Sequence, residues 1–514
     1  MQQENPINMP KNAVAVIGAG PAGLVASRWL RANGLDPIIF EASPRLGGQW
    51  NPACASAATW PGMRTNTSRI MTAFSDMEHA PETPVYPRRE DMLDYLERYA
   101  FTFGLLPHLR LKTRVEHLKR AENGSWLVHS VNDLEARTEC FAQVIVATGR
   151  QNVAEVPEIA GLESFSGSLG ALHAAQYNGP DRYRGRRVVV AGCSISALEI
   201  ASDIALGGAA EVVSTHRRQR YILPKMIAGV PTDHVMFTRS AALLGDVLPP
   251  DILAEGLTAK TLKIAGSPEQ FGAAAPVGNV FAAGLSQSQH FLPAVAEGRI
   301  KVRPWIERID GRTIWFEDGT TVNADALLFG TGYRLSMPWL DENIATTIGL
   351  TDHHADLHDH TFHPDLPGLA FVGLYDLVGP TFPVLELQAR WIARCFAGPS
   401  SHPSRREMVA GLERSKANRG QASALPMHVA ALTFARNLGV EPDLAAWPEL
   451  ERALLFGPLS PASFRLQGPH ALADAATRTI SAAAAFGNIK TDAFNAEEEE
   501  IRRLVGMRTL FSAA

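Results

Sequence analysis

Two short stretches have the residue types and spacing to hold a diphosphate against backbone amides. In the first, Gly18, Gly20 and Gly23 stand in the order G-x-G-x-x-G, and Glu41 follows at the end of the next apolar run. Gly18 makes the tight turn, and Gly20 lets a pyrophosphate approach the backbone. Pro21 and Ala22 open a helix whose N-terminus faces the phosphates, and Gly23 lets that helix pack closely on its strand. Glu41 is placed to accept hydrogen bonds from a ribose diol, and it would repel a 2′-phosphate. In the second stretch the three turn positions are Gly192, Ser194 and Ala197, with Ser196 in the same turn. A side chain at Ser194 pushes a phosphate outward, although its hydroxyl can donate to one. Here the following run ends in Ser214-Thr215-His216-Arg217-Arg218, with no acid. An arginine at that place accommodates a 2′-phosphate. The second turn therefore reads as tuned for NADPH, and the first as the site of a different dinucleotide. The plainer alternative for the second is a solvated basic loop beside a vestigial unit.

Such turns need strands and helices to position them. Val14–Ile17 reads as a buried strand, a helical pattern runs through Leu30, Gly34 ends it, and Pro37–Phe40 delivers Glu41. Two further strand-to-glycine stretches, VIVATGRQ (144–151) and ALLFGTGYR (326–334), mark where the chain crosses between layers. The expected fold class is α/β: two Rossmann-like dinucleotide-binding domains, the first discontinuous with the second inserted, plus a helical C-terminal extension. The expected segments are 1–169, 170–325, 326–400 and 401–514, with Pro157, Pro304, Pro364 and Pro367 punctuating the junctions. Met92, Leu93, Leu96, Tyr99 and Ala100 fall at helical spacing and read as core. The acidic run Glu497 to Glu500 reads as a helix start.

Composition narrows the class. At 514 residues the chain has room for two or three domains, and 46% hydrophobic with 20% charged residues is a soluble globular balance. A net charge of -5 offers no footing for nucleic acid. No apolar run approaches the roughly 20 residues of a membrane span, and Met1 to Lys11 lacks the apolar core of a signal peptide. Cys54, Cys140, Cys193 and Cys395 are isolated, so neither a redox dithiol nor a metal knot is expected, and the chain reads as cytoplasmic.

Several stretches resemble one family, the flavin-containing monooxygenases. ASPRLGGQWN, with Gly48, Gln49 and Trp50, resembles that family's glycine doublet and tryptophan just after the ribose-binding acid. MRTNTSRIMTAFSD is similar to its T-N-x-x-x-x-M-x-x-F segment, and FGTGYRLSMPWL to its A-T-G-Y stretch. The run from Pro367 to Gly398 resembles the returning FAD segment, and LFGPLSPASFRLQGP the C-terminal block of the longer, animal-type members. The likeness covers most of residues 13 to 470. The family pattern F-x-G-x-x-x-H-x-x-x-[FY] appears as Phe165, Gly167, His173 and Tyr177, with the histidine two residues late. His173 reads as structural rather than as a general base.

The resemblance implies FAD in the first site and NADPH in the second, with O₂ and a small molecule as substrates. It implies that oxygen is carried as a flavin C4a-hydroperoxide and passed to a nucleophilic nitrogen or sulfur. It places Asn66, next to Thr65, beside the reacting flavin position, and Gln388 and Arg390 near the flavin. Asn66 as a turn cap, and Arg390 as a partner of a carboxylate, stay open. LSQSQHFLP (285–293) is a candidate part of the substrate mouth. A Tyr177-Asn178 ending departs from the tryptophan ending of Baeyer–Villiger relatives. Ketone oxygenation and an uncoupled NADPH oxidase remain as alternatives, and a homodimer is left open. Charges from Glu497 to Arg503 and at Arg508 leave no hydrophobic anchor of the animal type.

Overall fold

The computed structural model describes residues 6–55, 57–151, 153–398, 402–419, 425–490 and 493–506. Strand β1 (Ala13–Ile17) is buried at all five positions, because both faces of its sheet are covered. Val14 and Val16 face the helical layer, while Ala13, Ala15 and Ile17 face a second layer that includes Trp126 and Phe141. After β1 come helix α1 (Pro21–Ala32) and strand β2 (Asp36–Phe40), which pairs parallel to β1 with Ile17 opposite Phe40. The sheet order is Leu369–Phe371, Gln143–Val146, β1, β2, Leu109–Arg110, all parallel. Helix α2 (Arg89–Thr102) buries Met92, Leu93, Leu96, Tyr99 and Ala100 as their spacing predicts, and Tyr95 as well.

The second domain repeats the plan. Strand β3 (Arg187–Ala191), helix α3 (Ile195–Leu206) and strand β4 (Glu211–Thr215) form its core unit. Its all-parallel sheet runs Gly170–His173, β5 (Ala326–Phe329), β3, β4, Ile300–Arg303. Strand β5 corrects the expected boundary at 325/326. Its residues are fully or almost fully buried between two strands of the second sheet, so the return to the first domain comes after Gly330. The outgoing and returning crossings bond to each other: Val153–Ala154 pairs antiparallel with Tyr333–Arg334.

Two further features were not foreseen. Part of the inserted segment leaves its own sheet: helix α4 (Arg239–Val247) packs against the C-terminal helices, and Ala242 and Leu243 join the first domain's core. The chain beyond 401 is likewise no appendage. Helix α5 (Phe382–Ala397) packs on α1 on one side and on helix α6 (Met427–Leu438) on the other. Met427, Ala430, Phe434 and Val505 share one cluster with Val14 and Trp29. The acidic run does begin a helix, Ala496–Gly506. Residues 507–514, the end of the expected anchor-free tail, lie outside the described residues. Among the described residues no helix is long and apolar enough to cross a membrane.

Candidate active site

The first turn is a cradle made of backbone. Gly18 has φ +108°, and a Cβ there would stand 2.6 Å from the Ala147 carbonyl oxygen. A Cβ on Gly23 would lie 1.9 Å from the oxygen of Gly18, so helix and strand touch there only because residue 23 is glycine. Gly20 caps α1 with no side-chain bond, and Pro21 follows with no N–H to lose, so the helix N-terminus points its amides outward. Gly48 closes the cradle from the other side: a Cβ on it would come within 2.9 Å of the Gly20 Cα. Glu41 is planted at the edge, its carboxylate accepting from Ala19 N and Ser43 N, both at 2.8 Å. Each oxygen keeps lone pairs for a diol. These features fit a dinucleotide such as FAD.

Around this cradle the expected contacts divide. Pro21 and Ala22 are half-buried in the first turn of α1, and Gln49 is exposed. Trp50 is a core residue, buried in the cluster that holds Leu46 and Leu93, with an indole N–H that has no partner among the described residues. Thr65 is buried, and its hydroxyl donates to the Thr67 carbonyl at 2.8 Å. Asn66 is half-buried, and among the described residues its side-chain amide has no hydrogen-bond partner. The turn is closed by Thr65 and by Ser68, which accepts from Met71 N and Thr72 N through its carbonyl, so Asn66 is not the cap.

Two residues expected near the flavin are committed elsewhere. Gln388 is fully buried: its oxygen accepts from Gly373 N at 2.9 Å, and its nitrogen faces the Thr361 hydroxyl at 2.8 Å and the carbonyls of Phe371 and His360. Both ends of that amide are bonded inside the protein, so in this structure it serves to hold the strand end. Arg390 donates to the carbonyls of Phe464 and Pro469, both at 3.3 Å, with its guanidinium 4.9 Å over the Trp29 ring. Burial pulls its pKa down to about 10. It ties α5 to the C-terminal block.

The second turn has the same construction with one change. Gly192 has φ +128°, and a Cβ there would meet the Gly330 oxygen at 2.4 Å. The Ser194 hydroxyl donates to that same oxygen at 3.0 Å, so it fastens the turn to the returning crossing instead of facing a phosphate. Ser196 is half-buried one residue into α3. Both arginines after β4 are exposed, but they differ. Arg218 donates to the Ala282 carbonyl at 2.7 Å, whereas the Arg217 guanidinium lies 4.7 Å over the Trp305 ring. Trp305 had no signal in the sequence beyond following Pro304. The pairing of Thr215 with Arg303 is what brings it there.

His173 ends its strand and caps the following turn, its Nδ1 accepting from Ala175 N at 3.1 Å. Burial lowers its pKa, as befits a structural imidazole. Tyr177 donates to Asp203 at 2.6 Å and packs edge-on against Trp60 of the first domain. The stretch 285–293 lies along α3, where Ser288 donates to Glu199 at 2.8 Å and Lys225 pairs with the same carboxylate at 2.7 Å. Sequence reasoning missed Asp233 and His234, which are buried against Ser68 beside Asn66.

Two dinucleotide cradles joined by crossings that share hydrogen bonds are now in place, and the family model for flavin-binding monooxygenase-like proteins matches residues 11–504. The chain belongs to that family. It is 29% identical over 483 residues to dimethylaniline monooxygenase [N-oxide-forming] 2 of Oryctolagus cuniculus, covering 89% of each chain. It is 29% identical to flavin-containing monooxygenase 5 of Cavia porcellus, covering 90% of each. Among solved structures, S-allyl-L-cysteine S-oxygenase from Allium sativum superposes with a TM-score of 0.61 at 22% identity, over 98% of this chain and 99% of that one. Cyclohexanone monooxygenase from Rhodococcus sp. Phi1 gives 0.63 at 17% identity, over 87% and 99%. These likenesses carry the fold. This flavin monooxygenase is an oxidoreductase of a family whose cofactors are FAD and NADPH, acting with O₂ on a small molecule.

Proposed function

We propose that this flavin monooxygenase transfers one oxygen atom from O₂ to a soft nucleophilic nitrogen or sulfur of a small molecule, with FAD in the first cradle and NADPH in the second. FAD, when bound and reduced by NADPH, supplies the two electrons that let O₂ give one atom to substrate and the other to water. The chain's own residues do the rest. The Gly20 and Gly48 backbones hold the pyrophosphate and Glu41 the ribose. Arg217 takes the 2′-phosphate, and the α3 N-terminus with Ser196 takes the second pyrophosphate. The observation that carries the reading is Asn66, a neutral side-chain amide without a partner among the described residues, in a loop where Thr65, Thr67, Ser68 and Arg69 are bonded. Such an amide can both donate and accept at the reacting face without bringing a charge there. The N-oxide-forming and S-oxygenating relatives support the choice of nitrogen or sulfur. A cytoplasmic location belongs to the same proposal and is checked by fractionation.

Variants at Asn66 test this. Asn66→Asp keeps the size but places an anion at the site, so it is expected to be worse than Asn66→Ser. Losing a preorganised donor costs about 2.7–4 kcal/mol where charge develops. Product per NADPH is expected to fall steeply and H₂O₂ to rise, while hydride transfer slows less than about tenfold, roughly 1.4 kcal/mol. Normal coupling on a thioether, or failure only at flavin reduction, would refute the role of Asn66. Cyclic ketone turnover exceeding thioether turnover would refute the substrate class.

A further inference from the structure

Two consecutive residues of the inserted segment leave their own domain and grip the loop that carries Asn66. Asp233 Oδ2 accepts from the backbone N of Ser68 at 2.8 Å, and His234 Nε2 lies 2.9 Å from the Ser68 hydroxyl. All three residues are at most 1% exposed. The rest of the loop is bonded to the first domain itself: Thr65 N to the Pro87 carbonyl, Arg69 N to the Val85 carbonyl, and the Thr67 and Thr72 hydroxyls to each other. Ser68 is therefore where the inserted segment takes hold, two residues from Asn66.

The grip is buttressed from a third side. The Phe486 ring, from the C-terminal block, stands edge-on to His234 at 5.3 Å. Phe486 has φ +59°, an unfavourable backbone for a bulky side chain, which persists only where the surroundings hold it. Burial also raises the Asp233 carboxyl to about 6 and lowers His234 to about 4. An acid in that place costs stability, so stability alone gives no reason for it to be there.

We infer that Asp233 and His234 are positioning residues that act through Ser68 to set where the Asn66 amide stands, so that the coenzyme-binding half of the chain governs the reacting face. This rests on the role proposed for Asn66. A shift of about 1 Å at a reacting group is enough to cost about a hundredfold in rate, and Ser68 is close enough along the chain to impose one.

The experiment uses the FAD-loaded full chain with three variants, Asp233→Ala, Asp233→Asn and Ser68→Ala, alongside Asn66→Ser. Hydrogen exchange is read over residues 64–72, with flavin reduction by NADPH and product per NADPH. Asp233→Ala is expected to speed exchange at Ser68 at least tenfold and to cut product per NADPH at least fivefold. Flavin reduction should stay within threefold of the parent. Asp233→Asn keeps an acceptor for the Ser68 amide and is expected to restore most of the coupling, which a requirement for charge would not. Should Asp233→Ala fail to fold, Ser68→Ala carries the test, with a twofold or larger loss of coupling expected. Normal coupling in Asp233→Ala or in that stand-in, beside an uncoupled Asn66→Ser, overturns the inference and leaves the function intact. Normal coupling in Asn66→Ser overturns the role proposed for Asn66 and the inference with it.

Discussion

Arg217 and Arg218 are neighbours with the same charge, yet they are held differently. Arg218 is bonded to the Ala282 carbonyl, while Arg217 rests on Trp305 with its donors unspent among the described residues. A planar guanidinium parked on an aromatic face is already ordered before it meets a phosphate. Arg217→Ala is therefore expected to weaken NADPH binding by about ten- to a hundredfold, the loss of a charge-assisted contact of about 1.5–3 kcal/mol. NADH binding should change less than about twofold, and Arg218→Ala should have the smaller effect. Titration of the oxidised enzyme with each coenzyme measures both, and an equal loss for NADPH and NADH would indicate damage to the fold. The two arginines were legible in the sequence because their place follows from a local rule, the end of the strand after the turn. Their difference was not, because Ala282 and Trp305 arrive from 64 and 88 residues away.

At the level of elements, Gln388 shows how a residue in a recognisable stretch can have another job. It sits on α5, and its amide brackets the end of strand Leu369–Phe371 through Gly373 N and the Phe371 carbonyl. Replacement by leucine preserves much of the volume but orphans a buried N–H, at a cost of about 1–3 kcal/mol. Gln388→Leu is expected to lower the unfolding free energy by that amount, read as a lower urea midpoint with an unchanged slope. The flavin content of the folded enzyme should be unaffected, and a large drop in it would restore Gln388 as a cofactor contact. Ser194 makes the same point in the second domain, since its hydroxyl is taken by Gly330. Glycine patterns and buried strands were readable because steric limits are local. Hydrogen-bond partners of buried polar groups were not, because the fold chooses them among distant carbonyls.

Across the whole molecule, buried ionisable groups set how stability depends on pH. Burial holds His234, His360 and His428 at about 4, against 6.5 in the open chain. Their contribution is full above pH 6.5 and is lost as pH falls through 4, because the unfolded chain takes the protons first. Asp76 and Asp233, raised by burial to about 6, run the other way: their contribution is full below about 3.8 and is lost as pH rises through 6. The three histidines outweigh the two acids, so stability should fall on the order of 4 kcal/mol between pH 7 and 4.5. Denaturant unfolding at the two pH values checks this, and a gain on acidification would contradict it. The same long-range organisation has a mechanical side. The two crossing threads, Val153–Ala154 and Tyr333–Arg334, are bonded to each other, and on their own they would leave the second domain one axis to swing about. Helix α4, sewn into the C-terminal helices, adds a second attachment, as a second latch does on a hinged door. A domain held at two separate places has less freedom to change the spacing of the two cradles than one held at the crossings alone.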